Sequence, residues 1–117
     1  MAGQVTIGGQ LTGLPFGAIQ IPPVTIAANA GNNLEVLTTT LANGFNSFSV
    51  PTWAVGIWII PNVTNAVPMT LKGITGDTGI PMSLTNPSLL SFPASPPATV
   101  GITSGGAGAT ITTIVFF

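Results

Sequence analysis

Residues Trp53–Ile80 read WAVGIWIIPNVTNAVPMTLKGITGDTGI, a stretch that holds both tryptophans, the only lysine and the only aspartate of the chain. Trp53–Ile60 is rich in Val, Ile and Trp and stops at Pro61, as a buried strand and its turn do. Val67–Ile74 alternates instead. Met69, Leu71 and Gly73 share one side, with Thr70 and Lys72 on the other. The two runs read as a hairpin around Pro61–Ala66, a loop of roughly six residues against the usual two to five. This pair is the expected centre of an all-β core.

Working outward, helix is nearly excluded. Fifteen glycines and eleven prolines recur along the 117 residues, and both break helices. Towards the N-terminus, Gln4–Ile7, Phe16–Ile21 and Val24–Ala28 are short candidate strands, the last two separated by Pro22-Pro23, which a central strand would not contain. Asn29–Asn33 is a turn by composition. Leu34–Leu41 is a strand with Leu34, Val36 and Thr38 on one side and Glu35 and Leu37 on the other. Ala42-Asn43-Gly44 is the strongest local hairpin signal, and Phe45–Val50 follows it.

Beyond the central pair, Gly76–Gly79 turns, and Ile80–Leu84 and Ser88–Phe92 are short strands. Pro93–Pro97 is a rigid, polyproline-like spacer. Ala98–Ile102 and Ala109–Phe117 are strands on either side of the flexible Ser104–Gly108. About 8–10 short antiparallel strands with turn signals about every 8–12 residues predict one all-β domain over residues 1–117, a small β-sandwich or jelly roll. A small barrel is the second choice. Residues 1–23 are the most loop-like and read as an extended arm that would lie on a neighbouring subunit.

Charge is the compositional anomaly. Glu35, Lys72 and Asp77 are the only ionisable side chains, 3% of residues against about 25% in ordinary domains. The net charge of −1 makes no field, so neither nucleic acid nor an anionic membrane is an expected partner. No apolar run approaches the ~18 residues of a membrane-crossing helix, and the start, MAGQVTIGGQL, has no signal-peptide pattern. A nearly uncharged surface favours association. Either the chain sits in an assembly that hides much of this surface or it lives where a neutral, hydroxyl-rich surface suffices; the assembly is the favoured reading, with the chain itself as expected partner in a homo-oligomer for which a trimer is the working number.

Chemistry has little to work with. The chain has no Cys, His or Tyr, which leaves Glu35 and Asp77 as the only acid–base candidates. Two carboxylates could in principle serve a glycosidase, but a pair of solvated surface groups is the plainer reading. No metal site, cofactor or catalytic residue is expected. GITGDTG lacks both the Lys-Ser/Thr ending and the following helix of a phosphate loop. Lys72 and Asp77, on either side of Gly73–Gly76, are a candidate ion pair at a turn; an exposed pair would contribute about 0–1 kcal/mol. Asn62-Val63-Thr64 is a formal glycosylation sequon read as a chance match. The candidate interface residues are Trp53, Trp58, Phe116 and Phe117. The tryptophans, five apart in one strand, would point to opposite faces, one into the core and one towards a partner or a sugar. An exposed Phe116–Phe117 end would need a groove or a partner.

Val55–Phe92, in particular VGIWIIP and the Leu71-Lys72-Gly73-Ile74-Thr75-Gly76-Asp77-Thr78-Gly79-Ile80 run, resembles short segments of small β-rich virion structural proteins of tailed bacteriophages. The resemblance covers about a third of the chain. It implies a virion component assembled in the host cytoplasm: a capsid decoration (cement) protein, or a tail or fibre module that binds a receptor or carbohydrate. Its partners would be other virion proteins, such as a major capsid or tail protein. It implies no catalytic residues.

Overall fold

The computed structural model describes residues 4–11, 19–27, 29, 31, 33–106 and 110–117. Ten strands are present in it: β1 (Gln4–Leu11), β2 (Ile19–Ala27), β3 (Glu35–Leu41), β4 (Gly44–Ser49), β5 (Gly56–Pro61), β6 (Met69–Lys72), β7 (Ile80–Met82), β8 (Ser88–Ser91), β9 (Thr99–Ser104) and β10 (Thr110–Phe116). No helix occurs among the described residues. β1 and β2 form a two-stranded sheet. The other eight form two four-stranded sheets, ordered β3-β10-β5-β8 and β4-β9-β6-β7.

The pairing is nested. β3 pairs with β10, β4 with β9, β5 with β8 and β6 with β7, all antiparallel. Successive pairs fall alternately in one sheet and the other, and β10·β5 and β6·β9 contacts complete each sheet. This is a long hairpin folded at the β6–β7 turn and rolled into two layers, the winding of an eight-stranded jelly roll.

Alternation decides what lies between the layers. Ile57 and Ile59 of β5, Ile114 and Phe116 of β10, and Leu41 of β3 point inward from one sheet; Met69, Val100 and Ile102 meet them from the other. Thr112 is fully buried, and its hydroxyl donates to Met69 Sδ at 4.0 Å. β5 is thus an interior strand of the core, as its composition predicts.

Its expected pairing with β6 does not form. β5 and β6 lie in different sheets, so the central hairpin is replaced by a crossing. β10 and β8 already occupy both edges of β5. The crossing is held by the buried Asn65, whose Nδ2 donates to Val67 O (3.1 Å) and Leu84 O (3.0 Å) while its Oδ1 accepts from Val67 N. Asn62 Oδ1 accepts from Thr64 N and Oγ1 at the start of the same loop.

The Asn43-Gly44 signal likewise marks a corner between sheets rather than a hairpin. Gly44 has φ +96°, where a side chain would be strained. The Asn46 amide then donates to Ala42 O, Gly44 O and Ile102 O and accepts from Ala42 N, fastening the corner to β9.

At the N-terminus, the residues expected as an extended arm include a paired hairpin. β2 runs through Pro22-Pro23 because the register slips there. Ile7 pairs with Val24 and Gly9 with Ile21, so the two residues without N–H groups sit in an irregularity that needs no donor from them. The Phe16–Ala18 part of the second candidate strand, and Ala107-Gly108 of the flexible segment, lie outside the described residues.

Phe116 and Phe117 are the clearest correction. Neither is free for a partner: their relative exposures are 0% and 8%. Val55 N and Gly56 N donate to Phe117 O, and Phe117 N donates to Gly56 O. A Cβ on Gly56 would stand 2.5 Å from the Phe117 ring, so the glycine makes room for it. Replacing Phe116 with Ala is expected to cost about 3–5 kcal/mol, read as a lower urea midpoint in equilibrium unfolding. An unchanged midpoint would contradict this packing.

Candidate functional site

The inward residues of β3, β10, β5 and β8 leave an outward set, and the register says which of these stand side by side. Val115 pairs with Val36 on one side and Trp58 on the other, and Trp58 pairs with Leu89. Directly paired residues project from the same face, so Val36, Val115, Trp58 and Leu89 form one apolar row across all four strands. The next row is Thr38, Thr113 and Ile60, with the two threonine hydroxyls 3.4 Å apart. Thr40 and Ile111 follow.

Val36 (55%), Ile111 (52%) and Trp58 (39%) keep large exposures. None of these residues is charged. A sheet face of this kind is dry to bury: it presents hydrocarbon and an indole, with threonine hydroxyls that can pair with one another, and no ion to desolvate.

Of the four residues predicted for an interface, the structure brings only Trp58 to this face. Trp53 precedes β5 rather than lying in it, and packs half-buried against the core. Phe116 and Phe117 are core. Val36, Val115, Leu89 and Ile111 escaped the sequence reading because they come from separate strands and are joined only by cross-strand register.

Lys72 and Asp77 do not pair with each other. Asp77 Oδ2 instead accepts from Gly73 N (3.0 Å) and Ile74 N (2.9 Å), closing the β6–β7 turn on itself. Gly79, at φ +78°, completes that turn; a Cβ there would lie 2.6 Å from Leu71 O. The turn borders an open groove of about 620 Å³ whose lining includes Leu71, Lys72, Ile80, Leu90, Phe92 and Val100. Glu35 lies on the edge strand β3 of one sheet and Asp77 in a turn of the other. The fold thus assigns the two carboxylates to different structural elements rather than to one cleft. No cluster of three or more metal-ligating side chains occurs among the described residues.

Comparison with protein-family models, with curated proteins and with solved structures finds no match to this chain.

Because Asp77 serves the turn rather than a charge partner, Asp77→Ala is expected to destabilise the fold by about 0.5–2 kcal/mol, the range of lost helix caps that satisfy N–H groups in the same way. Lys72→Met should be close to neutral. Chemical denaturation of the two variants checks this; an equal loss in both would restore the ion pair.

Proposed function

We propose that this chain is a non-enzymatic structural subunit of a bacteriophage virion, a protein that associates with itself and binds a larger shell or tube as a capsid decoration (cement) protein. The observation that carries the reading is the uncharged apolar row Val36–Val115–Trp58–Leu89, of which Val36 and Trp58 are exposed and Val115 and Leu89 half-buried. Exposed contiguous apolar surface of this kind marks interaction sites. The scarcity of charge supports the reading, because little electrostatic repulsion opposes close packing of copies. The likeness of Val55–Phe92 to segments of phage structural proteins supports the location. The jelly-roll winding is compatible with it and adds no more than that, since one fold hosts many functions.

A second reading rests on Trp58 alone. An indole exposed on a sheet and followed by a threonine row suits stacking against a sugar ring, as a tail or fibre receptor-binding module would require. Titration with mono- and oligosaccharides while following tryptophan fluorescence tests it; an unchanged spectrum counts against it.

For the first reading, light scattering across a dilution series is expected to give a closed homo-oligomer, with a trimer as the working number. Trp58→Lys should shift the mass to that of the monomer while the circular dichroism spectrum stays the same. A wild-type chain that remains monomeric at every concentration would overturn the assembly reading.

A further inference from the structure

The two four-stranded sheets end in four edge strands, β3 and β8 in one and β4 and β7 in the other. A bare edge offers unpaired N–H and C=O groups to any strand that meets it, and proteins blunt such edges by shortness, proline or irregularity. Three of the four are blunted. β7 has 3 residues, Pro81 among them. β8 has 4 and follows directly on Pro87. β4 opens at the positive-φ Gly44, whose carbonyl already accepts from the Asn46 amide. β3 has none of these devices. It runs for 7 residues, EVLTTTL, without Gly or Pro. Its register with β10 is unbroken from Glu35–Phe116 to Leu41–Thr110. On its other side it bonds to no described strand.

We propose that β3 of one copy pairs antiparallel with β3 of a second copy across a twofold axis at Thr38, so that two four-stranded sheets become one. The contact goes beyond the Trp58 face, since Trp58 lies on β5, two strands in from this edge. Three observations favour a second copy as the occupant. The first is the strand's fit to itself. Centred on Thr38, the pairing uses the whole strand and sets Leu37 against Thr39, Val36 against Thr40 and Glu35 against Leu41. The two Glu35 carboxylates then stand at opposite ends of the ladder, and no like charges meet across it. The second is apolar exposure at this edge. Leu34 and Val36 are 66% and 55% exposed, and the same register lays Val36 beside Thr40 of the second copy and brings Leu34 towards its Ala42. The third is composition, because Val36 and Thr38–Thr40 are β-branched and suit a pleated cross-strand pair. A contact this narrow is weak by itself; it adds to the closed oligomer rather than replacing it.

The chain has no cysteine, so single cysteines report the register directly. Val36→Cys, Thr38→Cys and Thr40→Cys are made in the full chain, all at exposed positions. Directly opposed Cα atoms in an antiparallel pair lie about 4.5 or 5.5 Å apart, within the reach of a disulfide, about 4.4–6.8 Å. Val36 and its own copy would be four residues out of register, about 14 Å apart. Oxidation is expected to cross-link Thr38→Cys to itself and to join Val36→Cys to Thr40→Cys in a mixture, while Val36→Cys or Thr40→Cys alone stays largely unlinked. Homodimers of all three variants in equal yield would overturn the edge pairing and keep self-association. A closed oligomer by light scattering with no disulfide would do the same. Cross-links in the expected pattern from a chain that scatters as a monomer would keep the edge pairing and overturn the Trp58-face reading. A monomer with no cross-link would overturn both.

Discussion

Strand β10 is inserted between β3 and β5, and the sandwich depends on that insertion. Without it β3 has no partner and β5 loses one of its two neighbours. The strand also brings Ile114 and Phe116 to the interior and Thr112 under Met69. At its end, the Phe117 backbone exchanges hydrogen bonds with Gly56, and its ring fills the space that glycine leaves. The fold is therefore tied by partners far apart in sequence; the Thr38–Thr113 hydroxyl contact spans 75 positions. Such a topology pays its loop-closure entropy before its contacts form.

Burying the core in this way fixes the character of the outside. Each strand that sends Ile57, Ile59, Ile114 or Leu37 inward sends its alternate residues outward, and on this sheet those alternates are Val36, Trp58, Ile60 and Val115 as often as threonine. Ordinary domains place charge there. This chain has three ionisable side chains in all, and the structure puts Asp77 to use inside a turn. What remains outside is neutral, partly apolar sheet. The Trp58 face is such a surface.

The polar residues that matter structurally are the ones that turn the chain. Asn46 and Asn65 each spend an amide on backbone groups from separate segments, and each sits where the chain passes from one sheet to the other. In a protein nearly without ion pairs, side-chain amides fasten the corners. A buried amide with its partners in place costs little; the same amide orphaned would be expensive.

The sequence by itself determined the class and much of the interior. Period-two alternation, abundant Gly and Pro and the lack of helical runs are local properties, and they suffice to mark β5 as a core strand, to group Met69 with Leu71, and to place Glu35 opposite Val36. Only the tertiary structure decided which strands pair. Asn43-Gly44 and Pro61–Ala66 look locally like hairpin turns. They became crossings because the neighbouring edges were taken by β9, β10 and β8, strands whose pairing energy comes from distant sequence. The same limit hid the candidate site. That one of Trp53 and Trp58 would face outward was legible, but not which; Val36, Val115 and Leu89 join Trp58 only through register, and Phe116 and Phe117 left the list because the groove they needed was the protein's own core.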